Sequence, residues 1–493
     1  MTQNKKTTSN QKQDADFHLD VDAQVVRQLG TELITDPEQA LLELVKNSYD
    51  ADATWCNIVI ESQGEHEITI PGTEKKIKIK GRILIEDDGS GMNKQALQDG
   101  WLTISLSHKR RMKANGEVTP IFNRTPLGDK GLGRLGTMKL GDYLRITTFT
   151  NPEQKGFKVA FLWSQCESGL PLSKVPLSIS EAPQSSNKGT QIEILGLADH
   201  DYWRGNDRIN KLRLRLSTLV SPFKSFSNFT IGLTLNGNPV DLVSFSEKVL
   251  NTATTHFECI WDNAELDMKG RVKLGLFKGN KEQDFEQYVL SDDGKMLVEF
   301  LEAENFAAGI SLTRSKSKGW FLEFTENVQW SDIPMLQDQL AIAKPGGFLS
   351  ELYAFNLNFS REQSDNLFSE LGDLGSTLRE LSGVYIFRDN FRVRASNDWL
   401  KLGEEWTSGG SYYGLRPKNT IGYFALTAQN NPRLLEKSDR EGFIENAEYR
   451  GFYALAIKLK SFANTSLENL RRGYVEFVKK RKETESGFPE SLF

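Results

Sequence analysis

The stretch from Asp36 to Asp50 constrains this chain most, because it predicts one helix whose two faces differ in chemistry. Asp36 suits the capping position, Pro37 suits the first helical position, and Glu38 complements the helix dipole. Alanine, leucine and valine follow at helical spacing. We therefore predict a helix from Pro37 to about Tyr49 with one face packed in a core.

The other face of this helix carries Glu43, Asn47 and Asp50 at positions i, i+4 and i+7. This spacing places the three side chains within roughly 60° of one another around the helix. An amide oxygen can ligate a hard cation such as Mg²⁺, and a carboxylate one turn away can orient and deprotonate water. A solvated helix face would have the same spacing, so spacing alone leaves both interpretations open.

A second motif stands at the end of an aliphatic strand predicted over Lys76–Glu86, where the sequence turns abruptly to DDGSGM. A buried carboxylate at Asp87 could accept a hydrogen bond from an exocyclic amine such as that of adenine. Gly89 and Gly91 would let a base lie against backbone beside Met92. An ordinary strand-to-helix turn would also explain these letters.

A third motif, GDKGLGRLG, runs from Gly128 to Gly136. Free backbone N–H groups at a helix start, with Lys130 beside them, suit phosphate oxygens. The pattern G-x-x-G-x-G lacks the G-K-[ST] ending of a P-loop. A Rossmann site is also disfavoured, because no glycine-tipped first strand precedes the motif.

Composition narrows the class of protein. A chain of 493 residues with 38% hydrophobic and 26% charged residues is typical of a globular protein with more than one core. The polar N-terminus and the lack of a long apolar run predict a cytoplasmic protein without a membrane partner. A net charge of -5 excludes a globally basic nucleic-acid binder but not a local basic patch. Three scattered cysteines are expected in cores, and five separated histidines predict no transition-metal site.

The order of strands and helices predicts an α+β chain with mixed sheets. We predict a mobile polar tail over residues 1–15, a first domain over 16–240, a second α/β domain over 245–465, and a C-terminal helix with a basic, polar tail over 466–493. The further predicted elements are strands at Cys56–Glu61, Tyr143–Thr150, Thr190–Leu195, 271–277, 383–393 and 421–427, and a helix from Asn446 to about Lys482.

The three motifs together, E-x-x-x-N-x-x-D-A, D-x-G-x-G about 40 residues later and G-x-x-G-x-G about 40 beyond, resemble the GHKL superfamily. This superfamily comprises gyrase, heat-shock chaperones, histidine kinases and MutL. Gly189 and Thr190 with the strand QIEIL look like its last motif. The resemblance implies a GHKL (Bergerat) α/β sandwich that binds ATP and Mg²⁺, followed by a transducer-like α/β domain.

The resemblance also implies roles for single residues. Glu43 would be the general base, Asn47 the Mg²⁺ ligand, Asp50 a support near the nucleotide, Asp87 the adenine-reading acid, and Thr190 its helper. The other implied nucleotide-binding positions are Gly89, Gly91 and Met92 at the base and Gly128, Lys130, Gly131, Leu132 and Gly133 around the phosphates.

Two further segments resemble prokaryotic MORC-like proteins. GWLTISLSHKR looks like the start of their lid, which makes Ser107 and Lys109 phosphate contacts. FRDNFRV, NDWLKL, IGYFALT and LLEKSDREGFIENAEYRGF look like their transducer domain. Arg440 stands where the family has a phosphate-sensing lysine, and Lys437 is the alternative sensor. A surface ion pair would explain Arg440 as well.

The resemblance implies slow ATP hydrolysis that drives an ATP-dependent homodimer. We expect a clamp on duplex DNA, in bacterial antiphage defence or DNA processing, with other protein subunits as further partners. Two basic clusters support this expectation: Lys109, Arg110, Arg111, Lys113 and Arg124, and Arg204, Arg208, Lys211, Arg213 and Arg215. A solvated surface would also explain them. The alternative is a heat-shock-chaperone-like ATPase that clamps protein clients.

Overall fold

The computed structural model describes residues 21–33, 36–104, 106, 108–128, 133–151, 154–167, 169–185, 187–221, 223, 228–242, 247–277, 282–306, 309–315, 319–333, 340–355, 378–393, 398–404, 415–437 and 442–485. The described residues form two compact units. The first unit lies within 1–111, 126–208 and 232–239, and the second within 112–125, 209–231 and 240–493. The tail predicted over residues 1–15 lies outside the described residues.

The first unit is built on one sheet of eight described strands in the order β5-β4-β3-β6-β2-β1-β7-β8. β2 lies between β1 and β6 and is antiparallel to both. The strands are β1 (Trp55–Thr69), β2 (Lys76–Asp87), β3 (Gly141–Phe149), β4 (Gly156–Leu162), β5 (Ser178–Ala182), β6 (Gly189–Leu197), β7 (Thr230–Leu235) and β8 (Asn238–Pro239).

The helix that carries the first motif packs on this sheet. This helix is α2 (Pro37–Asp50), and the other described α-helices before residue 230 are α1 (Gln24–Leu33), α3 (Lys94–Leu97), α4 (His108–Ala114) and α5 (Asn206–Ser217). α2 lies against β1 and β2, and both α1 and α2 contact a 3₁₀ turn over Gly133–Lys139. The Asp36 carboxylate caps α2 by accepting from the Gln39 N–H at 2.7 Å, as its sequence predicts.

The second unit contains another sheet of eight described strands, in the order β11-β12-β10-β9-β13-β16-β14-β15. All its described pairs are antiparallel except β14 with β16. The strands are β9 (Thr255–Trp261), β10 (Glu265–Lys273), β11 (Ser311–Ser315), β12 (Gly319–Gln329), β13 (Phe348–Ala354), β14 (Gly383–Arg388), β15 (Phe391–Val393) and β16 (Thr420–Leu426).

A long helix covers the core of the second unit. The described α-helices here are α6 (Glu247–Leu250), α7 (Glu282–Tyr288), α8 (Lys295–Ala303) and α9 (Ala447–Glu485). α9 packs on α7, α8 and β10, and buries Phe452, Leu459 and Phe462. The boundary predicted at residue 465 falls inside α9, and the predicted domain limits stay predictions.

A half-buried carboxylate, Glu351 of β13, is hydrogen-bonded to side chains of β9, β13 and β16 in the second unit. Glu351 accepts from the Tyr423 hydroxyl at 2.6 Å and from the Tyr353 hydroxyl, and the His256 ring nitrogen lies 3.0 Å away. Burial alone would raise the pKa of Glu351, but the hydrogen bonds from His256 and the two tyrosines outweigh it and hold the pKa at about 2. The ionised carboxylate therefore stabilises this part of the sheet.

The predicted fold class is confirmed, since both units combine large sheets with helices. The three cysteines are free and buried, as expected of core residues. Two predicted strands need correction. The segment 271–277 leaves β10 after Lys273 and continues as a 3₁₀ turn over Leu274–Phe277. The segment 383–393 is a hairpin of β14 and β15, because Asp389 and Asn390 form its turn at φ of 49° and 68°.

None of the described helices combines the length and apolarity needed to cross a membrane.

Candidate active site

Four strands of the first unit bring one row of side chains together. The register pairs Cys56 of β1 with Asp87 of β2, Asp87 with Thr190 of β6, and Thr190 with Thr148 of β3. Asp87 is the last residue of β2, so its carboxyl lies where the strand opens into the DDGSGM turn. The motifs around Asp87 and Thr190 therefore meet, although 103 residues separate them.

Asp87 is buried and accepts three hydrogen bonds from described residues. Its Oδ1 accepts from the backbone N–H groups of Gly89 at 3.0 Å and Thr190 at 3.2 Å, and its Oδ2 accepts from the Ser48 hydroxyl at 2.8 Å. Burial raises the pKa of Asp87, and these hydrogen bonds oppose the shift without cancelling it. A carboxylate offers about four acceptor positions, so one more donor can be received here.

Tight backbone contacts around Asp87 explain two glycines. A Cβ placed on Gly91 would lie 2.0 Å from the Phe149 carbonyl oxygen, and one on Gly189 would lie 1.9 Å from the Asp87 carbonyl oxygen. Both also have positive φ, 63° and 126° respectively. These positions need glycine for packing and backbone conformation, whether or not a ligand binds.

The turn after Asp87 is fastened to β3. The Met92 N–H donates to the Thr148 hydroxyl at 2.8 Å, and that hydroxyl also lies 3.1 Å from the hydroxyl of Thr190. Gly89 packs beside α2, because a Cβ there would meet the Ala51 carbonyl oxygen at 2.8 Å. These contacts give the turn a defined position beside the Asp87 carboxyl.

The polar face of α2 is mostly covered rather than solvated. The Glu43 side chain is only 16% exposed, and its Oε1 accepts from Lys46 Nζ at 3.0 Å and Gln39 Nε2 at 3.1 Å. A Cβ placed on Gly133 would lie 3.4 Å from Glu43 Oε2. The end of the glycine motif therefore runs directly past the Glu43 carboxylate.

Asn47 and Asp50 converge on one cation, the ammonium group of Lys109 on α4. Lys109 Nζ donates to Asn47 Oδ1 at 2.9 Å and to Asp50 Oδ2 at 2.6 Å. Amide and carboxylate oxygens are also ligands of hard divalent cations, with water and phosphate oxygens completing the coordination. The residues present at this position therefore fit Mg²⁺ as well as the ammonium group.

Asp50 also fixes the start of the glycine motif. Its Oδ1 accepts from the Leu127 N–H at 2.7 Å and its Oδ2 from the Gly128 N–H at 3.1 Å. Its side chain is 1% exposed. Through this carboxylate, α2, α4 and residues 127–128 are linked at a single point.

Several predicted positions fall elsewhere. Ser107, Lys130, Gly131, Leu132 and Arg440 lie outside the described residues, so their predicted roles stay predictions. Lys437 is exposed in the second unit, and its N–H donates to the Gly442 carbonyl at 3.0 Å. Its role as a sensor is also still a prediction.

The structure adds three residues that the motif reading missed. Ser48 could have been noticed as a hydroxyl on the apolar side of α2. Nothing in the sequence marks Thr148, whose hydroxyl contacts Met92 and Thr190. Arg134, inside the glycine motif, donates to the Gly100 carbonyl and to the Leu106 carbonyl at 3.3 Å. Burial lowers the pKa of Arg134 to about 10. This arginine holds the segment that leads into α4.

The members of the two basic clusters differ in exposure. Arg124 is buried in the second unit, donates to Asn228 Oδ1 at 2.7 Å and stacks on the Phe122 ring. It therefore cannot belong to a phosphate-binding surface. Arg110 and Arg111 on α4 are exposed, as is Arg208 at the start of α5.

A comparison with known protein families matches this part of the chain. Residues 34–190 match the family of histidine kinase-, DNA gyrase B-, and HSP90-like ATPases. The DNA mismatch repair protein MutL of Colwellia psychrerythraea is 25% identical over 232 residues, which cover 46% of this chain and 29% of that protein. The chain thus matches less than a third of that relative's length. The finer resemblance to MORC-like proteins stays a prediction. The matched segment contains α2, Asp87 and Thr190. Residues 34–190 of this chain therefore belong to an ATPase domain of the GHKL superfamily.

Proposed function

We propose that this chain binds ATP with Mg²⁺ at the site formed by α2, the end of β2 and the glycine motif, and hydrolyses it slowly. One observation carries the proposal. The same helix presents Glu43, Asn47 and Asp50 along one face and holds the Asp87 carboxylate through Ser48 at 2.8 Å. A single rigid element thereby fixes the distance between a base-reading end and a phosphate end.

At the base-reading end, Asp87 would accept a hydrogen bond from the adenine amine. Its three described donors leave one acceptor position, and its burial strengthens any hydrogen bond made there. Gly91 and Met92 would border the base, since the turn that carries them is fastened to Thr148. The Thr190 N–H would keep the carboxylate oriented.

At the phosphate end, Glu43 would orient the attacking water and take its proton. Gln39 and Lys46 hold one carboxylate oxygen in place, and the other lies beside Gly133 of the glycine motif. Asn47 Oδ1 would ligate Mg²⁺, which neutralises the developing phosphate charge when bound. Backbone N–H groups of the glycine motif and Lys130 would receive the phosphate oxygens.

We further propose that ATP closes a homodimer and that the closed dimer clamps duplex DNA. The family match and the printed function of the matched relative, DNA mismatch repair, support this choice. Exposed Arg110, Arg111 and Arg208 could contribute charge without reading sequence. The sensor in the second unit would be Arg440, with Lys437 as the alternative. Bacterial antiphage defence or DNA processing would be its setting, in the cytoplasm.

The test is the mass of the purified chain in solution with Mg²⁺ and a non-hydrolysable ATP analogue, with and without duplex DNA. We expect the analogue to convert monomer to dimer, and the dimer to retain DNA in a salt-sensitive manner. The Asp87→Asn variant is the matched control, because it should remain monomeric under the same conditions. Binding of a protein client, with no effect of DNA, would favour the chaperone-like alternative. If ATP binds but the mass in solution stays the same, the proposed ATP-dependent dimer is refuted.

A further inference from the structure

The ammonium of Lys109 occupies the cation position of the proposed site. Lys109 Nζ lies 2.9 Å from Asn47 Oδ1 and 2.6 Å from Asp50 Oδ2. The Lys109 side chain is 30% exposed, whereas that of Asp50 is 1% exposed. Lys109 therefore reaches in from the surface and neutralises a carboxylate that is almost completely enclosed.

The same contact also positions the glycine motif. Gly128 lies against the Lys109 stem, because a Cβ placed on Gly128 would be 3.2 Å from Lys109 Cδ. The Gly128 N–H and the Lys109 ammonium share Asp50 Oδ2, at 3.1 and 2.6 Å. A movement of Lys109 would therefore disturb both α4 and the start of the glycine motif.

An ammonium group and a magnesium ion on the same amide oxygen would repel one another. A magnesium–oxygen distance of about 2.1 Å added to the ammonium–oxygen distance of 2.9 Å would keep the two cations within about 5 Å. Like charges at that separation repel, and Asp50 is the described carboxylate bonded to this ammonium. The two cations therefore compete for this position.

We propose that Lys109 is a built-in counter-cation that fills the metal position while no nucleotide is bound, and that loading of the metal displaces it. This inference rests on the proposed function of the same site. Displacement breaks the link between α4 and α2, so metal loading becomes coupled to a shift of α4 and of residues 127–128. The released ammonium is then available to a phosphate oxygen.

The test measures binding of Mn²⁺ alone, by electron paramagnetic resonance, to the full chain without nucleotide. Wild-type protein should bind weakly, because Lys109 fills the position. Lys109→Met should bind about tenfold more tightly or better, because Asp50 then lacks its counter-charge. Lys94→Met on α3 removes the same charge from an exposed position and should behave as wild type. Thermal unfolding of each variant verifies that it is folded.

A second variant tests where the additional Mn²⁺ binds. Adding Asp50→Asn to Lys109→Met should abolish the tighter Mn²⁺ binding, and its persistence would overturn the proposal by placing the ion elsewhere. Equal Mn²⁺ binding by wild type and Lys109→Met would overturn it too. These outcomes are separate from those of the proposed function, which fails if the wild-type chain does not bind ATP. Tighter Mn²⁺ binding by Lys109→Met in that case would still support Lys109 as the counter-cation.

Discussion

Replacing Asp87 with asparagine exchanges one buried oxygen for an amide nitrogen and tests the adenine assignment. The fold should tolerate the change. The asparagine carbonyl can keep the two N–H donors of Gly89 and Thr190, and its NH₂ group can donate to the Ser48 hydroxyl, which accepts as readily as it donates. Burial already disfavours the charge that is lost, so the free energy of unfolding should change by no more than about 1 kcal/mol.

ATP binding should suffer much more. An amide NH₂ facing the adenine amine leaves two donors opposed and unsatisfied, at a cost of about 2 to 3 kcal/mol. That cost corresponds to a loss of affinity of about 30- to 150-fold. Inosine triphosphate carries an oxygen acceptor where adenine carries the amine. The Asp87→Asn variant should therefore prefer inosine triphosphate over ATP, the reverse of the wild-type preference.

Isothermal titration calorimetry with both nucleotides, alongside thermal unfolding, measures these quantities. An ATP affinity within twofold of wild type would remove Asp87 from the base pocket. An equal loss for ATP and inosine triphosphate would show that the substitution damages the site as a whole, and the hydrogen-bond reasoning would be refuted.

Three other predictions address separate parts of the molecule. Glu43→Gln should lower the ATP hydrolysis rate at least about 100-fold while the Kd for ATP stays within about threefold, and unchanged turnover in a phosphate-release assay would reject Glu43 as the base. Gly91→Ala should cost about 2 kcal/mol or more of unfolding free energy, because its Cβ meets the Phe149 carbonyl oxygen at 2.0 Å and φ is 63°; a chemical denaturation midpoint equal to wild type would contradict the packing. Glu351→Gln should destabilise the chain by about 2 to 3 kcal/mol at neutral pH. Its folded pKa of about 2 lies below the ordinary 4.5, so this contribution is present above pH 4.5 and is lost as pH falls toward 2; a wild-type advantage that persists at pH 2 would argue against it.

Local signals predicted the helix that organises the site. The cap, the proline and the apolar spacing placed α2 at Pro37 to about Tyr49, and it ends at Asp50. The same spacing could not tell a functional face from a solvated one. The structure answers part of that question, since Glu43 and Asp50 are 16% and 1% exposed. Exposure depends on what packs over a helix, and periodicity within the helix does not contain that information.

Strand predictions were wrong where residues typical of β-strands continue beyond the last hydrogen bond to a neighbouring strand. The run RVKLGLF is typical of one strand, yet only its first three residues pair. β9 begins at Thr255, opposite Val272, and the chain turns into a 3₁₀ helix at Leu274. The run GVYIFRDNFRV was also predicted as one strand, although Asp389 and Asn390 could have indicated the turn. The end of a strand is decided by its neighbours in the sheet as much as by its own residues.

The sequence by itself determined which residue types stand at the ends of α2 and β2, because capping, periodicity and strand-to-glycine transitions are local. Only the tertiary structure decided which of them meet. Asp87 contacts Ser48 across 39 residues and Thr190 across 103, and Lys109 reaches Asn47 across 62. These contacts depend on β2 lying between β1 and β6 and on α2 packing on β1 and β2. Strand order and register follow from the lowest free energy of the whole unit, and that is a property of the complete set of contacts rather than of any one segment.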